Sequence, residues 1–62
     1  MRTDPVELDG RIETETERAV LFDDGRQTVW LPLSQISERD DHRDGTVTLE
    51  IPEWLAEREG LI

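Results

Sequence analysis

The sequence predicts a small α+β domain, a curved antiparallel sheet of about four strands with a short C-terminal helix. Three observations carry this expectation. Apolar and polar residues alternate near both ends of the chain, as in half-buried strands. Asp24-Gly25 and Asp44-Gly45 punctuate the sequence as hairpin turns do, and a segment that opens on Pro52 and ends near Gly60 has helical spacing. At 62 residues there is room for one domain, spanning 1–62, and a chain of this size buries only about 60% of its unfolded surface. With no cysteine to staple it and little room for a deep cleft, a substantial enzyme is disfavoured. The apolar content of 34%, with two Trp, still supports a small core.

The elements follow in order. Val6, Leu8 and Ile12 occupy one face of a strand, with Glu7, Asp9 and Arg11 on the other. Gly10 interrupts the inward face, where a strand glycine commonly marks a bulge or sharp bend. The polar stretch 13–18 either extends this strand or forms its turn. Ala19-Val20-Leu21-Phe22 is too short for a helix, and Asp23-Asp24-Gly25-Arg26 turns it into a return strand from Thr28 to Leu31. Pro32 belongs at a strand end or sheet edge. Ser34-Gln35-Ile36 predicts a single 3₁₀ turn that drops Leu33 and Ile36 into the core, with the Ser34 hydroxyl available to cap amides.

Residues 37–45 lack any apolar side chain and predict a loop. Alternation returns at Thr46, with Val47, Leu49 and Ile51 inward and Thr46, Thr48 and Glu50 outward. Pro52 suits the first helical position, Glu53 the positive end of the helix dipole, and Gly60 the left-handed cap against which Leu61 folds back. A helix of about two turns needs tertiary packing, expected from Trp54 and Leu55. The connection lengths allow a curved open sheet or a small SH3-like barrel.

Charge narrows the function classes. Sixteen acidic residues face seven Arg and no Lys, for a net charge of −9. Residues 25–37 hold only Arg26, so a slightly positive middle lies between two negative ends. Such a field repels nucleic acid and anionic lipid, which bind through Lys and Arg, and it points to a basic protein surface as partner. The alternative is that acidity serves solubility alone. The longest apolar run, Ala19 to Phe22, is far below the roughly 20 residues of a membrane span, and the N-terminus lacks the basic and apolar regions of a signal peptide. A cytoplasmic protein is expected.

No residue set predicts a cofactor. Asp40 to Gly45 superficially matches the start of a calcium loop, but the twelfth position, where a bidentate Glu is needed, is Ile51. One His and no Cys cannot supply a usual zinc site. Ser34 or Ser37 with His42 lacks an orienting third group and an oxyanion-forming turn, and the paired carboxylates have no apolar surroundings in sequence to shift a pKa. The chain is therefore expected not to be an enzyme.

Two binding features remain. If 13–17 stays extended, Glu13, Glu15 and Glu17 form a row at about 6.6 Å intervals, twice the strand rise. With Asp23, Asp24, Asp40, Asp41 and Asp44 in loops, this row could imitate a phosphate backbone in a partner's Arg and Lys groove. The alternative is a solvated face. Trp30 lies opposite Val29 and Leu31, where it is either an exposed interface anchor or covered by the helix through Trp54, with burial favoured.

Thr28-Val29-Trp30-Leu31-Pro32-Leu33-Ser34-Gln35-Ile36, followed by Ile51-Pro52-Glu53-Trp54-Leu55-Ala56, resembles a type of short protein common in bacteriophages and prophages. The resemblance runs from about Ala19 to Leu61 and implies a strand, a Pro stop, a turn and a Pro-initiated helix. That group carries Lys where this chain has Leu33, so no role of a basic residue transfers there. By size, acidity and lack of catalytic groups the chain is also similar to anti-CRISPR proteins that act as nucleic-acid mimics. This likeness implies a non-enzymatic inhibitor of a nucleic-acid-binding host complex. The alternative is a structural or accessory phage protein that docks through Trp30.

Overall fold

The computed structural model describes residues 4–62. In chain order these form β1 (Pro5–Glu15), β2 (Ala19–Asp23), β3 (Thr28–Pro32), a 3₁₀ turn (Leu33–Gln35), β4 (Glu38–Asp41), β5 (Val47–Pro52) and α1 (Glu53–Arg58). All pairings are antiparallel and the strand order is β3-β2-β1-β5-β4. The chain is thus a small α+β sheet protein with one C-terminal helix, with five strands where the sequence predicted about four. The sheet is open: β3 and β4 are its edges, so the barrel alternative is not adopted.

The fifth strand lies in the segment expected to be a loop. Glu38–Asp41 is exposed throughout and has no apolar face, yet it pairs with β5 from Glu38↔Glu50 to Asp41↔Val47. The exposed edge of β5 offers backbone partners whatever the side chains are, and a charged strand is well suited to a sheet edge because it discourages further pairing.

β1 is long because it serves two neighbours. Pro5 to Gly10 pair with β5, and Arg11 to Glu15 pair with β2. The partners change at Gly10, on opposite sides of the strand. A side chain at this position would overlap the Asp23 carbonyl oxygen and come within 2.7 Å of the Phe22 ring. Gly10 therefore permits close approach. The bulge expected there lies three residues on, at Glu13, where the register slips between Ile12↔Phe22 and Thr14↔Leu21.

Val20, Phe22 and Leu31 from the β2–β3 half and Val47, Leu49 and Ile51 from β5 form one core with Leu55 and Ala56. A helix of six residues cannot cover five strands. The sheet must therefore curl so that its two halves cover each other, with Val6, Leu8, Ile12, Leu33 and Ile36 packed at the margin. The 3₁₀ turn carries Leu33 and Ile36 as expected, but no side chain caps it, so Ser34 has no capping role.

Pro52 ends β5 and acts as the N-cap of α1, one position before the first-turn site expected for it. The helix closes in a Schellman motif. Gly60, at φ 75°, donates its N–H to the Glu57 carbonyl at 3.1 Å, and Leu61 donates to Ala56 at 2.8 Å. Gln27 Nε2 bonds the carbonyls of Glu59 and Gly60, fastening the helix end to the β2–β3 turn. Leu55 and Ala56 are buried, whereas Trp54 is 45% exposed and lies under the Arg58 guanidinium at 5.3 Å. Trp54 thus stays outside the buried core: the buried stripe of so short a helix is only two residues wide. Among the described residues no helix is long and apolar enough to cross a membrane.

Candidate functional site

In antiparallel pairs, residues directly opposite one another project from the same face. On β1, β5 and β4 the outward positions fall into two cross-strand rows. One reads Glu7, Glu50, Glu38; the next reads Asp9, Thr48, Asp40. Five carboxylates and one hydroxyl therefore share the outer face of three adjacent strands, lining an open concavity together with Arg39. Neighbouring strands are about 4.8 Å apart and successive outward residues about 6.7 Å apart, so the carboxylates form a lattice with these two spacings.

Among the described residues no ion pair joins any of these five carboxylates to an arginine. The hydrogen bonds they accept come from neutral hydroxyls. Ser37 Oγ donates to Glu50 Oε1 at 2.9 Å, and Thr48 Oγ1 donates to Asp9 Oδ1 at 2.6 Å. Since Thr48 gives its only proton to Asp9, His42 Nε2, 2.7 Å from the same hydroxyl, must be the protonated ring nitrogen. Among the described residues no group of three or more His, Asp or Glu is placed to hold a metal ion. The carboxylates are spread over a surface instead of converging on a point.

The acids singled out from the sequence are placed differently. The row of Glu13, Glu15 and Glu17 does not form: Glu13 occupies the bulge, Glu15 ends the strand and Glu17 lies in the turn beyond it. Glu15 is also bound, since Arg39 Nη1 donates to its Oε2 at 3.1 Å while Arg39 Nε donates to Asp41 Oδ1 at 2.8 Å. Arg39 and Asp41 lie opposite the inward residues Leu49 and Val47, so this trio ties the β4 edge to the far end of β1.

Asp23, Asp24 and Asp44 organise turns. Asp23 Oδ1 accepts from the Gly25 amide at 2.8 Å, Asp24 Oδ1 from the amides of Arg26 and Gln27 at 2.8 and 2.9 Å, and Asp44 Oδ1 from the amide and hydroxyl of Thr46. These bonds hold the Asp24 and Asp44 carboxyls below the ordinary range, and the Arg39 guanidinium does the same for Asp41. Asp40 and Asp41 are in a strand, and Asp23 ends one, where loops were expected. Of the whole set, only Asp40 belongs to the carboxylate lattice.

Sequence reading missed Glu7, Asp9, Glu38 and Glu50 as a group. Their outward direction on β1 and β5 was legible from alternation, but nothing in the sequence placed those strands side by side or made a strand of Glu38–Asp41.

Trp30 is 50% exposed, and the helix does not cover it. It pairs with Leu21 across β2, with Ala19 and Pro32 paired on the same outer face. This end of the sheet is apolar where the other end is anionic. No family model, no curated protein and no solved structure matches the chain.

Proposed function

We propose that the chain is a non-enzymatic acidic binding module, encoded by a phage or other mobile element, that acts in the host cytoplasm. It seats its carboxylate face in the cationic groove of a nucleic-acid-binding host complex and so excludes the nucleic acid. The observation that carries this reading is the Glu7–Glu50–Glu38 row, extended by Asp9 and Asp40, on one face of three strands. Like charges directly opposite one another in a sheet are destabilising, and opposite signs at the same positions would stabilise the same fold. A groove of Arg and Lys offsets that repulsion with charge-assisted hydrogen bonds and speeds association through long-range attraction.

The test is affinity capture from bacterial lysate on the immobilised protein, with a Glu7→Gln/Glu38→Gln/Glu50→Gln variant beside it. Captured nucleic-acid-binding proteins should be released by added duplex DNA or RNA, and by about 1 M salt, where the Debye length shrinks to about 3 Å. The triple variant should retain few of them. Equal capture by the variant would overturn the proposal.

The exposure of Trp30 favours a second reading, a structural or accessory phage protein docking through the Trp30–Leu21 face, with the acids serving solubility. Under that reading Trp30→Ala abolishes capture, and neither salt nor nucleic acid displaces the partner.

A further inference from the structure

β3 is an open edge of unusual character for this chain. The phase of its ladder follows from the two bonds that bracket it. Asp24 donates its N–H to the Gln27 carbonyl at 3.1 Å, and Leu33 donates to Arg18 at 2.7 Å. Antiparallel pairs alternate, so between these limits Phe22↔Val29 and Val20↔Leu31 are the hydrogen-bonded pairs. The N–H and C=O groups of Val29 and Leu31 therefore face β2. Those of Thr28 and Trp30, with the Pro32 carbonyl, face outward, where the strand order places no other strand among the described residues.

Trp30 is half exposed on the outer face, beside Leu21, Ala19 and Pro32. Residues 25–37 carry Arg26 and no acid, whereas all sixteen acids lie outside them. Two copies of a chain of net charge −9 repel each other over most of their surface, and the other edge, Glu38-Arg39-Asp40-Asp41, would set carboxylates against carboxylates. The β3 edge is the strand that two copies can bring together without doing so.

We propose that the protein self-associates through β3, two copies pairing edge to edge about a two-fold axis at Trp30 to form a continuous antiparallel sheet. The two Trp30 residues exchange both backbone hydrogen bonds. Each Thr28 N–H donates to the Pro32 carbonyl of the second copy. Pro32, which has no N–H, fits this register because only its carbonyl is used. The indoles meet on one face, with their Cα atoms about 5.5 Å apart. The interface is isologous and closes at two copies. Five residues a side fall well short of the roughly 800 Å² per partner of a stable complex, so the dimer is weak.

Sedimentation velocity between about 10 μM and 1 mM, the span appropriate to an interface of that size, reads the association. The mass should move from 7.2 kDa toward twice that value. It should do so more readily at high salt, because screening relieves repulsion between the copies. This is opposite to the salt dependence of a basic partner on the carboxylate face, so the two proposals stand or fall separately. Amide exchange should slow at Trp30 and Thr28 as concentration rises. Trp30→Lys and Thr28→Pro should each keep the protein monomeric, the second without removing an internal ladder bond, while Trp54→Ala should dimerise like the parent. Circular dichroism checks that each variant is folded; if Thr28→Pro is not, Trp30→Lys and the parent's amide exchange decide. A parent that stays monomeric at the highest concentration in high salt overturns the proposal. So does a dimer that survives both edge variants, or one whose Trp30 amide exchanges at the monomer rate.

Discussion

Glu50 is the centre of the anionic row, with Glu7 on one side and Glu38 on the other. Replacing it by Gln removes two like-charge neighbours in a single step, and the amide oxygen of the new side chain can still accept the Ser37 hydroxyl. Two unit charges about 5 Å apart in water repel by about 0.8 kcal/mol, and screening at about 0.15 M roughly halves this. Two such pairs make Glu50→Gln stabilising by about 1 kcal/mol, within the range measured for cross-strand charge pairs of roughly 0.2–1 kcal/mol each. For a domain of this size that is a rise in Tm of about 4–8 °C. At about 1 M salt the Debye length is about 3 Å and the gain should fall below about 0.4 kcal/mol. Differential scanning calorimetry at the two salt concentrations measures both numbers. A Tm that is unchanged or lowered at low salt, or a gain that salt leaves intact, would show that the carboxylates do not strain the fold. The main support for a face selected for binding would then be gone.

Three further outcomes follow from the packing and the turns. Gly10→Ala places a methyl group against the Asp23 carbonyl and the Phe22 ring, where backbone cannot yield, and should cost at least about 2 kcal/mol in urea denaturation; an unchanged midpoint would contradict the close approach placed at Gly10. Leu55→Ala should cost about 2–5 kcal/mol, enough to unfold most of a chain this small, whereas Trp54→Ala should cost only about 0.5–1 kcal/mol from the lost Arg58 stacking. The reverse ranking would mean that the helix docks by its other face. Asp24, Asp41 and Asp44 are held below the carboxyl value of 3.8, so their stabilisation is present above that pH and is lost as pH falls through the lower folded-state values. Melting temperature should therefore drop in that acid range, and less steeply for Asp44→Ala, which already lacks one of the three; parallel curves for the two proteins would remove Asp44 from the account.

Local chemistry was enough to place most elements. Alternation in 6–12 and 47–51, the Asp24-Gly25 turn, the Leu33–Gln35 turn after Pro32, and the cap formed by Gly60 and Leu61 each depend on groups a few residues apart. The backbone geometry they demand is therefore written in the sequence. The strand at Glu38–Asp41 was not legible, because its only reason to be extended is the hydrogen-bonding edge of β5, about ten residues away. For the same reason the candidate site was missed. Glu7, Glu38 and Glu50 are scattered along the chain and become neighbours only when β5 inserts between β1 and β4, whereas Glu13, Glu15 and Glu17 looked like a row until a bulge and an Arg39 pair dispersed them. Net charge, the direction of each outward side chain and the acid-free middle segment are properties of the sequence. Which carboxylates share a face, and that Trp30 and Trp54 both stay exposed, depends on strand order and on the narrow footprint of a six-residue helix, and both are settled only by tertiary packing.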